Sequence, residues 1–296
     1  MEYKTYDIYQ DGNKTIVKHI KDFNLIHIFE CGQCFRWRRE NDGSYTGVVR
    51  DRVVNVGYDE KKLIITNSSV NDFIDLWYGY FDLDRNYSEI KRILSRKDSI
   101  MKKAIEFGYG IRLLRQDLWE TLISFIISAN NRIPMIMKVV ASISKNFGRE
   151  IFLDEKAYYT FPDAYSLADE CVETLQTCQG GFRCKYIIGT SEMVKSGAIR
   201  LSDIYMVSTG EARNMLIKLP GVGPKVADCT LLYSGTKYDV FPTDVWVKRV
   251  MEELYFQRET SLKEIQEFAR NYFGPLAGFA QQYLFYYARE NRIGAG

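Results

Sequence analysis

An α+β fold, a small antiparallel sheet in front of a mainly helical remainder, is what these 296 residues predict. Two observations carry the prediction. Between Cys34 and Ile65 the segments CFRWRR, SYTGVVR, RVVNVGY and KLIIT alternate in polarity or carry β-branched residues, and Asn41-Asp42-Gly43 and Asp59-Glu60 break them as turns do. After Val70 the apolar residues recur at helical intervals instead. No internal repeat, low-complexity stretch or long linker separates the two patterns, so a sheet domain over 1–112 and a helical region over 113–296 are expected to share an interface.

The helices follow from their end signals. Asp117 with Glu120 has capping-box spacing before LWETLISFII, and Asn130-Asn131 stand in the turn after Ser128. Ser208 with Glu211 makes the same spacing before Ala212, Met215, Leu216 and Leu219, and Pro220-Gly221 stop that helix. Pro224 suits the first turn of a new one, expected to run to about Tyr233. Asp244, behind the loop residues Pro242 and Thr243, reads as the N-cap of the next. Ser261 with Glu264 precedes LKEIQEFARNYF, which Gly274-Pro275 end before a last helix begins.

Composition bounds the function without naming it. A hydrophobic content of 46% can build a sizeable core, and a net charge of +2 does not announce a polyanion ligand. Its distribution says more, because 121–149 holds no acidic residue but does hold Arg132, Lys138, Lys145 and Arg149. The six cysteines stand at 31, 34, 171, 178, 184 and 229, so a cysteine-ligated iron–sulfur cluster near the C-terminus is excluded. Cys31 and Cys34 form a lone CxxC with no second pair, and His19 and His27 are the two histidines, so no metal or other cofactor is expected. The first residues lack an apolar core of the signal-peptide kind, and no uncharged apolar run reaches 18 residues. We therefore expect no membrane contact and an intracellular, thiol-reduced protein.

The segment LPGVGPKVADCTLLYSGTKYDVFPTD, 219–244, carries chemistry. Gly221 and Gly223 can take positive φ and let backbone approach a phosphate, and the free amides of the helix beginning at Pro224 favour an anion. Lys225 falls in that helix's first turn, where the dipole and partial burial disfavour an ammonium, and Cys229 lies one turn later on the same face. A neutral amine there can attack a carbon electrophile such as the C1′ of a deoxyribose losing its base. The carboxylate of Asp244 could stabilise the charge that develops on that sugar. Taken singly, the glycines also read as turn formers, the lysine as a solvated charge and the aspartate as a cap.

Beyond this hairpin, CGQCFRW at 31–37, YFDLD at 80–84, LLRQDLWETLISFIISANN at 113–131, GFRCKY at 181–186 and GPLAGFAQQYLF at 274–285 occur in order. With them the chain resembles the helix-hairpin-helix glycosylase superfamily and, within it, the 8-oxoguanine DNA glycosylases of bacterial or archaeal kind. The resemblance covers nearly the whole chain. It implies a base-excision enzyme with lyase activity, acting on double-stranded DNA that contains oxidised guanine, in the cytoplasm of a prokaryote, as a monomer associated with the nucleoid.

The resemblance also assigns roles. Lys225 is implied as nucleophile and Asp244 as its carboxylate partner. Phe285 and Gln281, four apart on the last helix, together with Cys229, match the pocket for an extruded base. Gly32 matches the position whose carbonyl accepts from N7–H of the lesion and repels N7 of guanine, an acceptor. Asn130 is implied as the wedge that fills the duplex, with Phe182 and Arg183 against the estranged base and bent strand. The chain departs from the eukaryotic pattern at Met135, where an arginine would read the opposite cytosine, and at Trp246, just past Asp244, where a histidine is usual. Weaker discrimination for cytosine opposite the lesion is therefore expected. Two other readings remain at this point, a noncatalytic DNA-binding hairpin protein and a glycosylase for another damaged base.

Overall fold

The computed structural model describes residues 2–294. Its strands β1 (Glu2–Tyr3), β2 (Tyr6–Asp11), β3 (Lys14–Val17), β4 (Trp37–Arg39), β5 (Tyr45–Val49), β6 (Arg52–Asp59) and β7 (Lys62–Thr66) form one sheet in the order β1-β2-β3-β7-β6-β5-β4. Every pair is antiparallel. The meander from β4 to β7 is the one the alternation predicts. Three further strands join it, with β3 against β7 so that Val17 faces Leu63 and Thr15 faces Ile65. They lie outside the expected span because their inward set is small: Tyr6, Ile8, Thr15 and Val17 are buried among exposed polar neighbours.

The sheet packs on the short helical stretch that follows it. Phe73, Trp77 and Phe81 are fully buried there, and Phe73–Trp77 winds as a π turn between α-helical turns. The indole of Trp77 donates to Ser68 Oγ (3.0 Å) and that of Trp37 to the Tyr80 hydroxyl (2.8 Å), so neither buried N–H is left unpaired. This sheet core runs to Leu83 and adds Leu114. A second core, built by the helices, takes in Tyr87 through Ile111, the helix Leu118–Ser128 and the elements beyond. The sequence expectation divided the chain at 112, and the helices Tyr87–Ser95 and Ser99–Phe107 lie in the second core.

One short segment joins the two cores. Cys31 and Phe35 are buried in the helical core, whereas Cys34 and Trp37 are buried in the sheet core. Between them Gln33 is fully buried, and its amide is satisfied three times: Nε2 donates to Ile28 O and Arg112 O (2.8 Å each), and Oε1 accepts from the Leu114 amide (2.9 Å). Gln116 Nε2 donates to Gln33 O (2.7 Å) and to Tyr233 O (3.3 Å), and Gln282 Nε2 donates to Cys31 O (3.0 Å). The segment is thereby tied to the end of one central helix and to the middle of the last one.

The helix ends refine the capping expectations. Ser208 and Glu211 complete their box. Asp117 accepts from the Glu120 amide and Ser261 from the Glu264 amide, but neither glutamate reaches back. Glu120 instead pairs with Arg36 (3.3 Å) and Glu264 with Arg258, since a cation across the gap outbids a neutral amide for a carboxylate. The helical remainder also contains a hairpin, β8 (Glu150–Leu153) and β9 (Lys156–Tyr159), that the helical reading did not include. Its strands are short and little buried, and its turn rests on Asp154 in the left-handed region at φ 52°. Among the described residues no helix is long and apolar enough to cross a membrane.

Replacing Gln33 by leucine strands the Arg112 carbonyl and the Leu114 amide in the interior and leaves the Ile28 carbonyl only the weak Cys31 thiol. We expect Gln33→Leu to lower unfolding free energy by about 3 kcal/mol or more, read from urea denaturation midpoints at unchanged slope.

Candidate active site

The hairpin folds as its sequence predicts. The helix Thr209–Ile217 is followed by the turn and then by the helix Pro224–Tyr233. Gly221 has φ 76°, and a Cβ there would lie 2.7 Å from Cβ and Cγ of Tyr186, so both its conformation and its neighbour require glycine. Gly223 departs from expectation: its φ is −92° and ψ 179°, extended backbone open to any residue. Its role is one of openness. It is the exposed N-cap, contributes no side-chain acceptor, and leaves the first-turn amides unblocked, with nothing within 4 Å of an added Cβ.

Lys225 is half-buried in that first turn. Its Nζ donates to Ser128 Oγ (3.2 Å) and lies 5.2 Å from the centre of the Phe125 ring. Phe125 in turn stacks on Tyr233 at 5.2 Å and meets Phe35 edge-on at 5.5 Å, which makes an aromatic floor beneath the amine. Cys229 is buried one turn along; burial pushes its thiol up to about 12, with Lys225 pulling the other way and Asp244 reinforcing the rise. The thiol is therefore neutral, a packing surface and not a nucleophile.

Asp244 is the N-cap of the helix Val245–Val250, and its Oδ1 accepts from the Val247 amide (2.9 Å). Burial raises its carboxyl above the ordinary carboxylate value, against the opposing pull of the Val247 amide, Lys225, the Trp246 amide and Arg289. The structure thus brings Lys225, Cys229 and Asp244 into one electrostatic neighbourhood. A desolvated carboxylate beside an amine on an apolar floor can stabilise a nearby cation more strongly than one in water.

Gly32 and Phe285 also meet. Gly32 has φ 82°, and a Cβ on it would stand 2.9 Å from Phe285 Cε1 and 3.1 Å from Arg289 Nη1. Arg289 Nη2 donates to Glu30 O (2.5 Å), so the last helix holds the loop from a second point. Gln281 is buried against Tyr233, whose hydroxyl burial raises well above its usual range and the Gln281 side chain partly lowers again. Gly32, Phe285, Gln281, Cys229 and Tyr233 thereby belong to one region where the last helix faces the hairpin helix.

The wedge candidates gather at the far end of the helix Leu118–Ser128. Asn130 is exposed with φ 50°, a left-handed conformation that asparagine tolerates better than most residues. Arg183 is buried beneath the loop: Nε and Nη2 donate to Ala129 O (2.9 and 2.5 Å), and Nη2 also donates to Asn130 O (2.9 Å). Its guanidinium grips the loop that carries Asn130 and lies 4.4 Å from the ring centre of Phe182, which is 54% exposed. Met135 is exposed on the helix Ile133–Phe147, and Trp246 is half-buried with Arg249 5.2 Å from its ring centre.

Three contributors escape the sequence reading. Ser128 and Phe125 are one turn apart in an apolar run that looks like core, and Arg289 follows Phe285 at i+4, a spacing that could have placed it on the same helix face. A cleft of about 480 Å³ opens elsewhere, among Arg50, Trp119, Arg149, Phe161 and Tyr165 at the opposite end of the helix Leu118–Ser128. None of the candidate site residues lines it.

Known proteins extend the same picture. Residues 15–122 match the model of the 8-oxoguanine DNA glycosylase N-terminal domain, and 123–275 that of the HhH-GPD superfamily base excision DNA repair protein. The N-glycosylase/DNA lyase of Saccharomyces cerevisiae is 32% identical over 286 residues, covering 87% of this chain and 75% of that protein. A structure of MBOgg1 with a low-affinity DNA ligand is 54% identical, with a TM-score of 0.95 over 97% of this chain and 99% of that one. The Clostridium acetobutylicum 8-oxoguanine glycosylase/lyase bound to double-stranded DNA with cytosine opposite 8-oxoG is 45% identical, with a TM-score of 0.95 over 99% of this chain and 100% of its own. Sheet, hairpin and matched domains together make this chain a member of the HhH-GPD superfamily of base excision DNA repair proteins, with the 8-oxoguanine DNA glycosylase N-terminal domain at its front.

Proposed function

We propose that this chain excises 8-oxoguanine from duplex DNA and nicks the strand through a Schiff base on Lys225. The observation that carries the reading is the amine of Lys225 at the head of the hairpin helix, over the Phe125 ring and within the field of Asp244. The MBOgg1 and Clostridium acetobutylicum neighbours, both solved with DNA, support it, and the latter supports a prokaryotic setting.

The lesion leaves the stack and enters between Cys229 and Phe285, with its N7–H donated to the carbonyl of Gly32 and its Watson–Crick edge on Gln281. Asn130 takes the emptied place in the duplex. The neutral Nζ then attacks C1′ while the bond from C1′ to N9 breaks and its electrons leave with the base. Asp244 stabilises the positive charge on the sugar at that moment. The C1′–O4′ bond then breaks with its electrons going to O4′, which takes up the proton lost from the nitrogen, leaving a C1′=Nζ Schiff base. A proton departs from C2′, its electrons form the C2′–C3′ double bond, and the 3′ phosphate leaves with the C3′–O electron pair. One lysine serves both steps.

Borohydride added during turnover reduces that imine and leaves protein joined to DNA. Lys225→Gln is expected to abolish the adduct and slow excision at least ~10³-fold while holding DNA affinity within a few-fold; an adduct that persists in this variant removes the lysine assignment. Without any adduct from the unaltered protein, a noncatalytic hairpin protein becomes the better reading.

Asp244→Asn keeps a capping side chain but no charge, so stability should move by less than about 1 kcal/mol while base release slows by about 10²-fold to 10³-fold. Because burial raises this carboxyl, the unaltered enzyme loses activity on acidification at a higher pH than an ordinary aspartate, of value 3.8, would impose. Protonation removes the charge the sugar needs, so activity is present above the raised value and lost below it. That acid limb should vanish from the single-turnover pH profile of the asparagine variant.

Met135 offers no hydrogen-bond donor to an opposite cytosine. Excision of 8-oxoguanine opposite each of the four bases should agree within about tenfold, since no bidentate base contact of the kind arginine makes is available there. A thousandfold preference for cytosine overturns this.

A further inference from the structure

Ser128 is the last residue of the helix Leu118–Ser128, and two steps later stands Asn130. A serine hydroxyl has one hydrogen and two lone pairs. Here the hydrogen is directed at Phe125 O, 2.7 Å away, so toward Lys225 the oxygen presents a lone pair. Lys225 Nζ is accordingly the donor in the 3.2 Å contact. A neutral amine has two N–H groups and one lone pair. When one N–H points at an oxygen, the nitrogen lone pair is turned away from it, so the hydroxyl selects which side of the nitrogen is nucleophilic.

The same residue is fixed from the loop side. Asn131 Nδ2 donates to Ile127 O (3.2 Å) and its amide to Ser128 O (3.2 Å), while Arg183 holds Ala129 O and Asn130 O. A continuous set of hydrogen bonds therefore runs from Arg183 through the wedge loop to Ser128 and on to the amine. We propose that Ser128 is a positioning residue for Lys225, and that it ties the orientation of the nucleophile to the seating of the wedge loop. The inference rests on Lys225 being the nucleophile.

The test compares Ser128→Ala and Ser128→Thr with the unaltered protein, using a duplex containing 8-oxoguanine for single-turnover base release and borohydride trapping. Affinity for a duplex carrying an uncleavable tetrahydrofuran abasic site is measured alongside. Misplacing a reacting group by about 1 Å costs roughly 10²-fold, so Ser128→Ala should lose between about tenfold and a hundredfold in base release and trapping rate. Its tetrahydrofuran affinity should stay within about twofold, whereas Ser128→Thr, which keeps the hydroxyl, should recover base release to within about threefold of the unaltered rate. The inference is overturned if Ser128→Ala traps at the unaltered rate, if its loss in rate is matched by an equal loss in affinity, or if threonine fails to restore it. Lys225→Gln run in parallel separates the two readings: an adduct surviving in that variant ends the nucleophile assignment, while its absence together with full activity in Ser128→Ala ends the positioning role alone.

Discussion

The rest of the structure depends on the buried amide of Gln33. A two-core protein with an active site between its parts must hold the parts in register to within a fraction of an ångström, and apolar contact alone is non-directional. Gln33 supplies direction by joining Ile28, Arg112 and Leu114 through three hydrogen bonds inside a fully buried position. With cysteine and aromatic neighbours alternately committed to the two cores, the peptide on its N-terminal side has little freedom left. That peptide is Gly32, against Phe285. Gln282 and Arg289 then secure the residues before it, Cys31 and Glu30, to the last helix. The loop that carries Gly32 is therefore an extension of the core.

A second constraint operates at the hairpin, where one residue must serve folding and chemistry together. Asp244 caps its helix through the Val247 amide, and a cap is worth about 1 kcal/mol. The same hydrogen bond fixes the carboxylate where Lys225 and Arg289 feel it. Burial works against ionisation, and the amide, the lysine and the arginine work for it, so the carboxylate retains a charge that water screens poorly. Cys229 contributes by remaining neutral: a thiolate beside Asp244 would add a second negative charge to the same neighbourhood. Its buried thiol, raised to about 12, keeps the charge pattern simple.

How much of this was legible in the chain depended on the range of the interaction. The hairpin helix was readable within its approximate bounds, about Pro224 to Tyr233, because its ends are set by proline, glycine and local hydrogen bonds. The Ser208–Glu211 box was equally local and complete. Glu120 and Glu264 show the limit, since each had the right spacing and was taken by an arginine outside its own helix. The strands β1–β3 and the β8–β9 hairpin were not readable from alternation, for too few of their residues turn inward. The candidate site divides the same way. Lys225 and Asp244 stand in a compact motif, and the Gln281–Phe285 pair has helical spacing. Gly223 was expected to need glycine's conformational freedom and instead offers an open cap. Arg183, Ser128 and Phe125 act through contacts spanning dozens of residues, and nothing in their local sequence marks those contacts.

The resulting distribution of rigidity bears on how a base is extruded. Removing a nucleotide from the stack costs a few kcal/mol, and any disorder in the protein would add its own ordering cost at the same step. Here the loop proposed as the wedge is held by the protein's own bonds: Asn130 occupies its left-handed conformation, and the buried guanidinium of Arg183 bonds the carbonyls of Ala129 and Asn130. A left-handed residue outside glycine costs on the order of 1 kcal/mol, and it is retained where surrounding bonds over-determine it. Arg183 supplies those bonds. Phe182 and Met135 are the exposed side chains beside the loop, and Phe182 is still met by the Arg183 guanidinium over its ring. On the proposal that Asn130 is the wedge, the backbone that would enter the duplex is already held by these bonds, and the deformation on binding would fall chiefly on the DNA.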